Sequence, residues 1–250
     1  MSALTEIRFE RNGPLATITF ARPQVLNALS PTLIEETLNT ISTIAESDAR
    51  VLILRGEGKS FSAGVDLNAA QAQTREKARE FSENARKLII LLETMPQVVI
   101  ARVTGHCFTG GLEVALGADV ILCTEDSIFA DTHGKIGLRP GWGLSQRLPR
   151  RIGQQRAREM SFTGRRINGV EAAAIGLVLE ALPIDKLDAR IDELATQIIA
   201  NSGGAIAAYK ALYRAAETHT LDEGLAYETN TRFKISDAKE RMSTAPVTKK

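Results

Sequence analysis

Short apolar runs alternating with amphipathic stretches govern what the first three quarters of this chain can become. Leu15–Phe20, Val51–Arg55, Val98–Val103 and Asp119–Thr124 are rich in Val, Ile and Leu and bounded by turn residues, so they read as strands. Between the first two, Ser30 can cap a helix and Pro31 suits its first turn, while Ile34, Leu38, Ile41 and Ala45 line one face. A second helix carries Phe81, Ala85, Leu88 and Leu92 as its stripe and cannot continue through Pro96. Strands alternating with helices predict an α/β fold.

The pattern changes after about residue 184. Leu187, Ile191, Leu194 and Ile198 give one amphipathic helix, Ala205–Glu217 a second, and Leu221 to about Arg241 a third. The predicted division is 1–184 as a core and 185–250 as a helical segment ending in a polar tail, Ser243–Lys250. Such a segment needs the core or another subunit to cover its apolar face.

Composition narrows the function classes. With 31 basic and 30 acidic side chains the net charge is +1, which offers no footprint for nucleic acid. No stretch approaches the ~20 apolar residues of a membrane helix, and the start Met1-Ser2-Ala3-Leu4-Thr5-Glu6 lacks the layout of a secretory signal. Cys107 and Cys123 have no Cys-x-x-Cys spacing, so they read as reduced, buried thiols. The expected compartment is cytoplasmic.

Two segments can carry chemistry. Gly56-Glu57-Gly58-Lys59-Ser60-Phe61-Ser62-Ala63-Gly64-Val65-Asp66-Leu67 forms a small-residue loop after the Val51–Arg55 strand. Gly105-His106-Cys107-Phe108-Thr109-Gly110-Gly111-Leu112-Glu113 follows a buried strand and opens a short helix. Paired glycines at such a junction let a ligand approach the backbone, where the free N–H groups of a helix start face an oxygen bearing negative charge. Close packing of helix on sheet explains Gly110-Gly111 equally well, and Glu113 also suits a helix start for its charge alone.

Taken together, these segments resemble the crotonase (enoyl-CoA hydratase/isomerase) superfamily over nearly the whole chain. Arg22-Pro23 with Asn27-Ala28-Leu29 resembles its amino-terminal signature, Phe61–Leu67 its first oxyanion loop and Gly105–Glu113 its second. Pro140-Gly141-Trp142-Gly143 with Gln146-Arg147-Leu148 resembles the loop beyond, and Phe233, Asp237 and Glu240 its final helix. The resemblance implies a spiral of ββα units with a carboxyl-terminal helical trimerisation segment, and trimers pairing into hexamers.

It also implies an acyl-coenzyme A thioester as substrate, with the N–H groups of Ala63 and Gly110 stabilising a thioester enolate. No metal or further cofactor is required, coenzyme A being part of the substrate. Backbone around Phe61, Ser62, Val65, Asp66 and Leu67 would recognise the adenine. Arg22 and Lys59 are candidates for the phosphates, solvated surface cations being the alternative. Trp142 either walls the acyl pocket or anchors its loop. The aromatic-and-basic closing segment of the family has no counterpart in Ser243–Lys250.

Glu113 matches the first of two glutamates in the family's hydratases. Where the second belongs, with Phe129 and Gly137 as flanking landmarks, this chain has His133. As an acid/base, an imidazole titrating near neutrality can move a proton at the acyl α-carbon. It can equally be a polar wall or turn away to Asp131, though residues i and i+2 on an extended segment need a loop or bulge to pair. His106 reads as a local backbone partner and His219 as a surface residue.

The expected activity is addition or removal of water on a 2-enoyl thioester, with Glu113 as the base toward water. Glu113 or His133 would supply the α-carbon proton. Double-bond isomerisation needs only one glutamate and is the nearest alternative, ahead of thioester or carbon–carbon hydrolysis. A non-catalytic acyl-CoA-binding scaffold is the alternative of another class.

Overall fold

The computed structural model describes residues 4–244. The chain opens with β1 (Ile7–Asn12), β2 (Leu15–Phe20) and α1 (Pro31–Ala45), followed by β3 (Val51–Gly56), β4 (Ser60–Ser62), α2 (Leu67–Gln71) and α3 (Arg75–Thr94). Next come β5 (Val98–Val103), β6 (His106–Phe108) and α4 (Gly110–Leu116), then β7 (Val120–Thr124), β8 (Ile128–Ala130), α5 (Leu144–Ile152) and α6 (Gln154–Thr163). β9 (Ile167–Asn168), α7 (Gly169–Ala174) and β10 (Glu180–Leu182) lead into α8 (Ile184–Ala200), α9 (Gly203–Thr218), α10 (Leu221–Asn230) and α11 (Ala238–Thr244).

The strands form two sheets, ordered β1-β2-β3-β5-β7-β10 and β4-β6-β8-β9. Each of three successive passes lays one strand in the large sheet, the next in the small sheet, and then turns into helix. This is the ββα spiral that the resemblance implies. β2, β3, β5, β7 and β10 pair in parallel, with β1 antiparallel on the edge.

Side chains alternate across a strand, so the apolar runs of β3, β5 and β7 serve two cores. Leu52, Leu54, Val99, Ala101 and Ile121 pack inward with the buried residues of α1, α3 and α4. Val51, Ile53, Val98, Ile100 and Leu122 face outward, where Leu187, Ile191 and Ala195 of α8 cover them. The first helix past residue 184 is thus covered by its own chain's sheet. α9 is tied down by Lys210, whose ammonium donates to Asp119 and to the carbonyls of Leu92 and Gln97.

The expected local signals hold in outline. Ser30 accepts from Leu33 N at 3.0 Å as the cap of α1, and α3 stops before Pro96 with Phe81, Ala85, Leu88 and Leu92 buried. On α1 the buried set is Leu33, Ile34, Thr37, Ile41 and Ile44, with Leu38 and Ala45 only partly covered. β1 escapes a pattern reading because it is an edge strand with Ile7 as its one buried residue. β4, β6, β8 and β9 are too short to show a period.

The helix expected from Leu221 to about Arg241 is two helices, α10 and α11, with residues 231–237 between them. Here a tertiary contact overrides helical pattern. A Cβ on Gly204 would lie 2.6 Å from the Lys234 carbonyl oxygen, so this stretch lies directly against the start of α9. Ser202 Oγ donates to Asp237 Oδ1 at 2.5 Å and closes the contact. Phe233 and Asp237, expected on the final helix, lie in this irregular stretch. From residue 245 on, the polar tail falls outside the described residues. No described helix is long and apolar enough to cross a membrane.

Candidate active site

The two chemistry-bearing loops meet at Gly64 and Thr109. Gly64 has φ +98°, and a Cβ there would lie 2.1 Å from Thr109 Oγ1. Thr109 itself has φ +42° and ψ −110°, a conformation that costs a non-glycine residue about 1–3 kcal/mol. These two residues turn the chain so that the next N–H groups, those of Val65 and Gly110, flank one volume. Leu29 borders it from a third side: its N–H donates to Gly64 O and its carbonyl accepts from Asp66 N, which leaves the Val65 N–H between them unused. Gly110 begins α4, so its N–H has no carbonyl one turn earlier to meet. Neither group has a hydrogen-bond partner among the described residues.

This geometry corrects the assignment to Ala63. The Ala63 N–H donates to Leu26 O at 3.0 Å and belongs to the fold. The free donor stands two residues later, at Val65. A glycine able to take positive φ, directly before the donor, is the signal that locates it.

Glu113 lies in the first turn of α4 and is 2% exposed. Its Oε1 accepts from Trp142 N at 2.9 Å and Leu144 N at 3.1 Å, so the loop before α5 grips one carboxylate oxygen. Oε2 points toward His133 Nε2 at 3.9 Å. Burial raises the Glu113 pKa above the ordinary carboxylate range, against the opposing pull of the two N–H donors and His133.

His133 opens a 3-10 turn, His133–Ile136, directly after the end of β8. Because the strand stops at Ala130, the i, i+2 spacing is no longer extended, and Asp131 reaches the ring: Oδ1 lies 2.7 Å from Nδ1. Burial works to lower the His133 pKa, but the hydrogen bond and charge of Asp131, joined by the charge of Glu113, raise it on balance. Asp131 and His133 also line a cavity of about 430 Å³ that Leu138, Pro140, Leu144 and Phe162 help to enclose.

Trp142 anchors its loop and packs over the start of α4. Its Nε1 donates to Ser82 Oγ at 3.1 Å and its ring meets Phe81 edge-on, with centroids 5.3 Å apart. The same ring lies over Gly110, where a Cβ would come within 2.8 Å of it. Arg147 braces this loop from α5, donating to the Trp142 carbonyl and pairing with Glu93 of α3.

The remaining expected binding residues divide. Phe61 and Ser62 are fully buried, Phe61 against Phe20 and Ser62 Oγ on Asn27 O, so only their backbone can meet a ligand. Arg22 is not available for phosphate: its guanidinium is spent on Glu6, Asp66 and the Ala28 carbonyl. Asp66 is likewise structural, pairing with Arg22 and accepting from Ala69 N. Lys59 and Leu67 are exposed and Val65 is half-buried, so all three remain accessible. His106 pairs not with local backbone, as expected, but with the Ser60 hydroxyl at 3.0 Å across the β4–β6 pairing, and His219 is exposed.

Comparison with known proteins agrees with this construction. A sequence model of the enoyl-CoA hydratase/isomerase family matches residues 10–246. The chain is 32% identical to a short-chain-enoyl-CoA hydratase of Clostridium acetobutylicum, over 96% of this chain and 94% of that protein. It is 30% identical to a crotonyl-CoA hydratase of Syntrophomonas wolfei, over 96% and 95% of the two chains. Among solved structures, an enoyl-CoA hydratase from Bacillus anthracis superposes with a TM-score of 0.87 at 33% identity, covering 90% of this chain and 88% of that one. With the two-sheet spiral, the paired free N–H groups and Glu113 beside them, these matches establish that the chain belongs to the enoyl-CoA hydratase/isomerase family, within the crotonase superfamily.

Proposed function

We propose that this protein adds water across the double bond of a 2-enoyl-CoA thioester, or removes it in reverse, using Glu113 and His133 as a base and an acid. The observation that carries the reading is the pairing of Glu113 Oε2 with His133 Nε2 across 3.9 Å. That span is too long for a direct hydrogen bond, and the two atoms border one volume, so a water beside them can contact both.

The thioester carbonyl oxygen would accept from Val65 N–H and Gly110 N–H, which then hold the charge of the enolate, at about 3 kcal/mol per donor. Glu113, as carboxylate, takes a proton from water while the water oxygen bonds to C3. The electron pair of the C2=C3 bond moves toward the carbonyl, and His133, as imidazolium, returns a proton to C2. Glu113 is then protonated and His133 neutral, and proton return from one to the other restores the site. The raised His133 pKa keeps it an acid near neutrality, and the free Glu113 oxygen remains its complement.

Isomerisation requires one base and leaves a second proton carrier facing it without a task, which is why hydration is the stronger reading. A panel of 2-enoyl-, 3-enoyl- and 3-hydroxyacyl-CoA thioesters, analysed by mass, separates the cases. Gain or loss of one water is expected. An isobaric shift of the double bond would contradict the proposal in favour of isomerisation, and binding without turnover in favour of a scaffold.

A homotrimer or hexamer is proposed as the assembly. Tyr213, Leu221, Leu225 and Met242 stand exposed on α9, α10 and α11, apolar area that a second copy would cover. Sedimentation of the intact chain should give a trimer or a multiple of it; a monomer at micromolar concentration would contradict this.

A further inference from the structure

We infer that Asp131 is a positioning residue, which fixes the tautomer and orientation of His133 so that Nε2 is presented to Glu113 and the substrate. The inference rests on the reading of His133 as the acid. It adds a third member to the reacting pair, outside the oxyanion loops and the α4 glutamate.

Three observations converge on it. Asp131 is 2% exposed, and a carboxylate this deeply buried needs partners for its charge. Its Oδ1 accepts from both the His133 backbone N–H, at 3.2 Å, and the ring at Nδ1, at 2.7 Å. Ser161, on α6, lines the same cavity and favours the charged carboxylate. These contacts hold Asp131 ionised, its pKa lowered despite burial. An ionised carboxylate only accepts, so Nδ1 must carry a proton. The second, transferable proton is then confined to Nε2, the nitrogen that faces Glu113.

A purely local role competes with this. The bond from His133 N to Asp131 Oδ1 spans two residues and is an Asx-type turn that would shape the chain whatever the ring did. The two roles differ in what they do to the proton. Facing the imidazole are Asp131 on its own turn and Glu113 from α4. Arg139, from the loop before α5, and Arg158, from α6, line the same cavity and are solvent-exposed. Asp131 alone of these touches Nδ1. Removing its charge should therefore lower the proton affinity of the ring, while a neutral amide oxygen can still accept from the backbone.

Asp131→Asn is the test. The expected result is a fall in kcat of ~10²-fold, the low end for loss of acid catalysis, with KM little changed. The alkaline limb of the rate profile should move to lower pH, because the ring now loses its proton sooner. His133→Gln, measured beside it, should remove that limb altogether.

The pair separates the possible failures. An unimpaired His133→Gln enzyme would overturn the acid role of His133 and this inference with it. An impaired His133→Gln beside an Asp131→Asn enzyme of normal kcat and unshifted profile would overturn the positioning role alone. Should Asp131→Asn fail to fold, nitrogen NMR of the unmodified protein decides. With three histidines in the chain, the His133 signals are assigned by their absence in His133→Gln. Nδ1 protonated throughout the active pH range is the expected result; a neutral ring protonated at Nε2 would overturn the inference.

Discussion

Glu113→Gln should lose ~10²–10⁴-fold in turnover while binding the coenzyme A thioester almost normally. The substitution keeps the shape, and its amide oxygen can still accept from Trp142 N and Leu144 N as Oε1 does now. What disappears is basicity at Oε2, the oxygen facing His133. The unmodified enzyme should show the same group in its pH dependence. In the proposed reaction Glu113 works as the carboxylate, and burial raises its pKa, so activity should fall as pH drops through a value above the ordinary glutamate range. His133 is proposed to work as the cation, and its pKa is raised despite burial, so activity should fall again as pH climbs through that value. Steady-state kinetics across pH, with thioester binding measured by calorimetry, checks both limbs. Near-normal turnover by Glu113→Gln would place the base elsewhere.

Gly110→Val should be nearly as damaging, by a different route. A Cβ at this position lies 2.8 Å from the Trp142 ring and 3.4 Å from Leu29 Cδ1, and two further methyl groups deepen both contacts. Trp142 cannot yield cheaply, because Phe81 and Ser82 hold it on its other edges. If it does shift, its N–H leaves Glu113. If instead α4 shifts, the Gly110 N–H leaves the thioester oxygen. Loss of one such donor costs ~10²–10³-fold in kcat. The effect should appear in kcat for a protein whose circular dichroism is unchanged. Normal turnover by folded Gly110→Val would remove Gly110 from the site. Ala63, whose N–H is already bonded to Leu26 O, should by contrast tolerate change of its short side chain.

The middle of the large sheet was legible because β3, β5 and β7 are buried on both faces, and such strands announce themselves as continuous apolar runs; its edge strands β1 and β10 were not. The small sheet was not, since strands of two or three residues inside Ser- and Gly-rich loops carry no period. Glu113 and Gly110 stood out at a helix start, but only the resemblance to the family gave them roles. The partner donor was misplaced by two residues: residue types show that a loop can offer an N–H, but Val65 rather than Ala63 is free only because Leu26 folds back onto Ala63 and Gly64 turns at positive φ.

Arg22 read as a phosphate candidate because its pairing with Asp66 spans 44 residues of sequence and exists only in the folded chain. The Asp131–His133 contact depended on a single turn at Thr132, with φ −103° and ψ 10°, that no spacing rule supplies.

Glu113 and His133 are proposed together to place the elements of water on C3 and C2 of an enoyl thioester. Turnover of a 2-enoyl-CoA in heavy-oxygen water, followed by fragment mass analysis of the product, tests it most directly. Label is expected in a C3 hydroxyl with the thioester intact, and that product should be lost in Glu113→Gln. Label in a free carboxylate, or an unlabelled product with a displaced double bond, would contradict it.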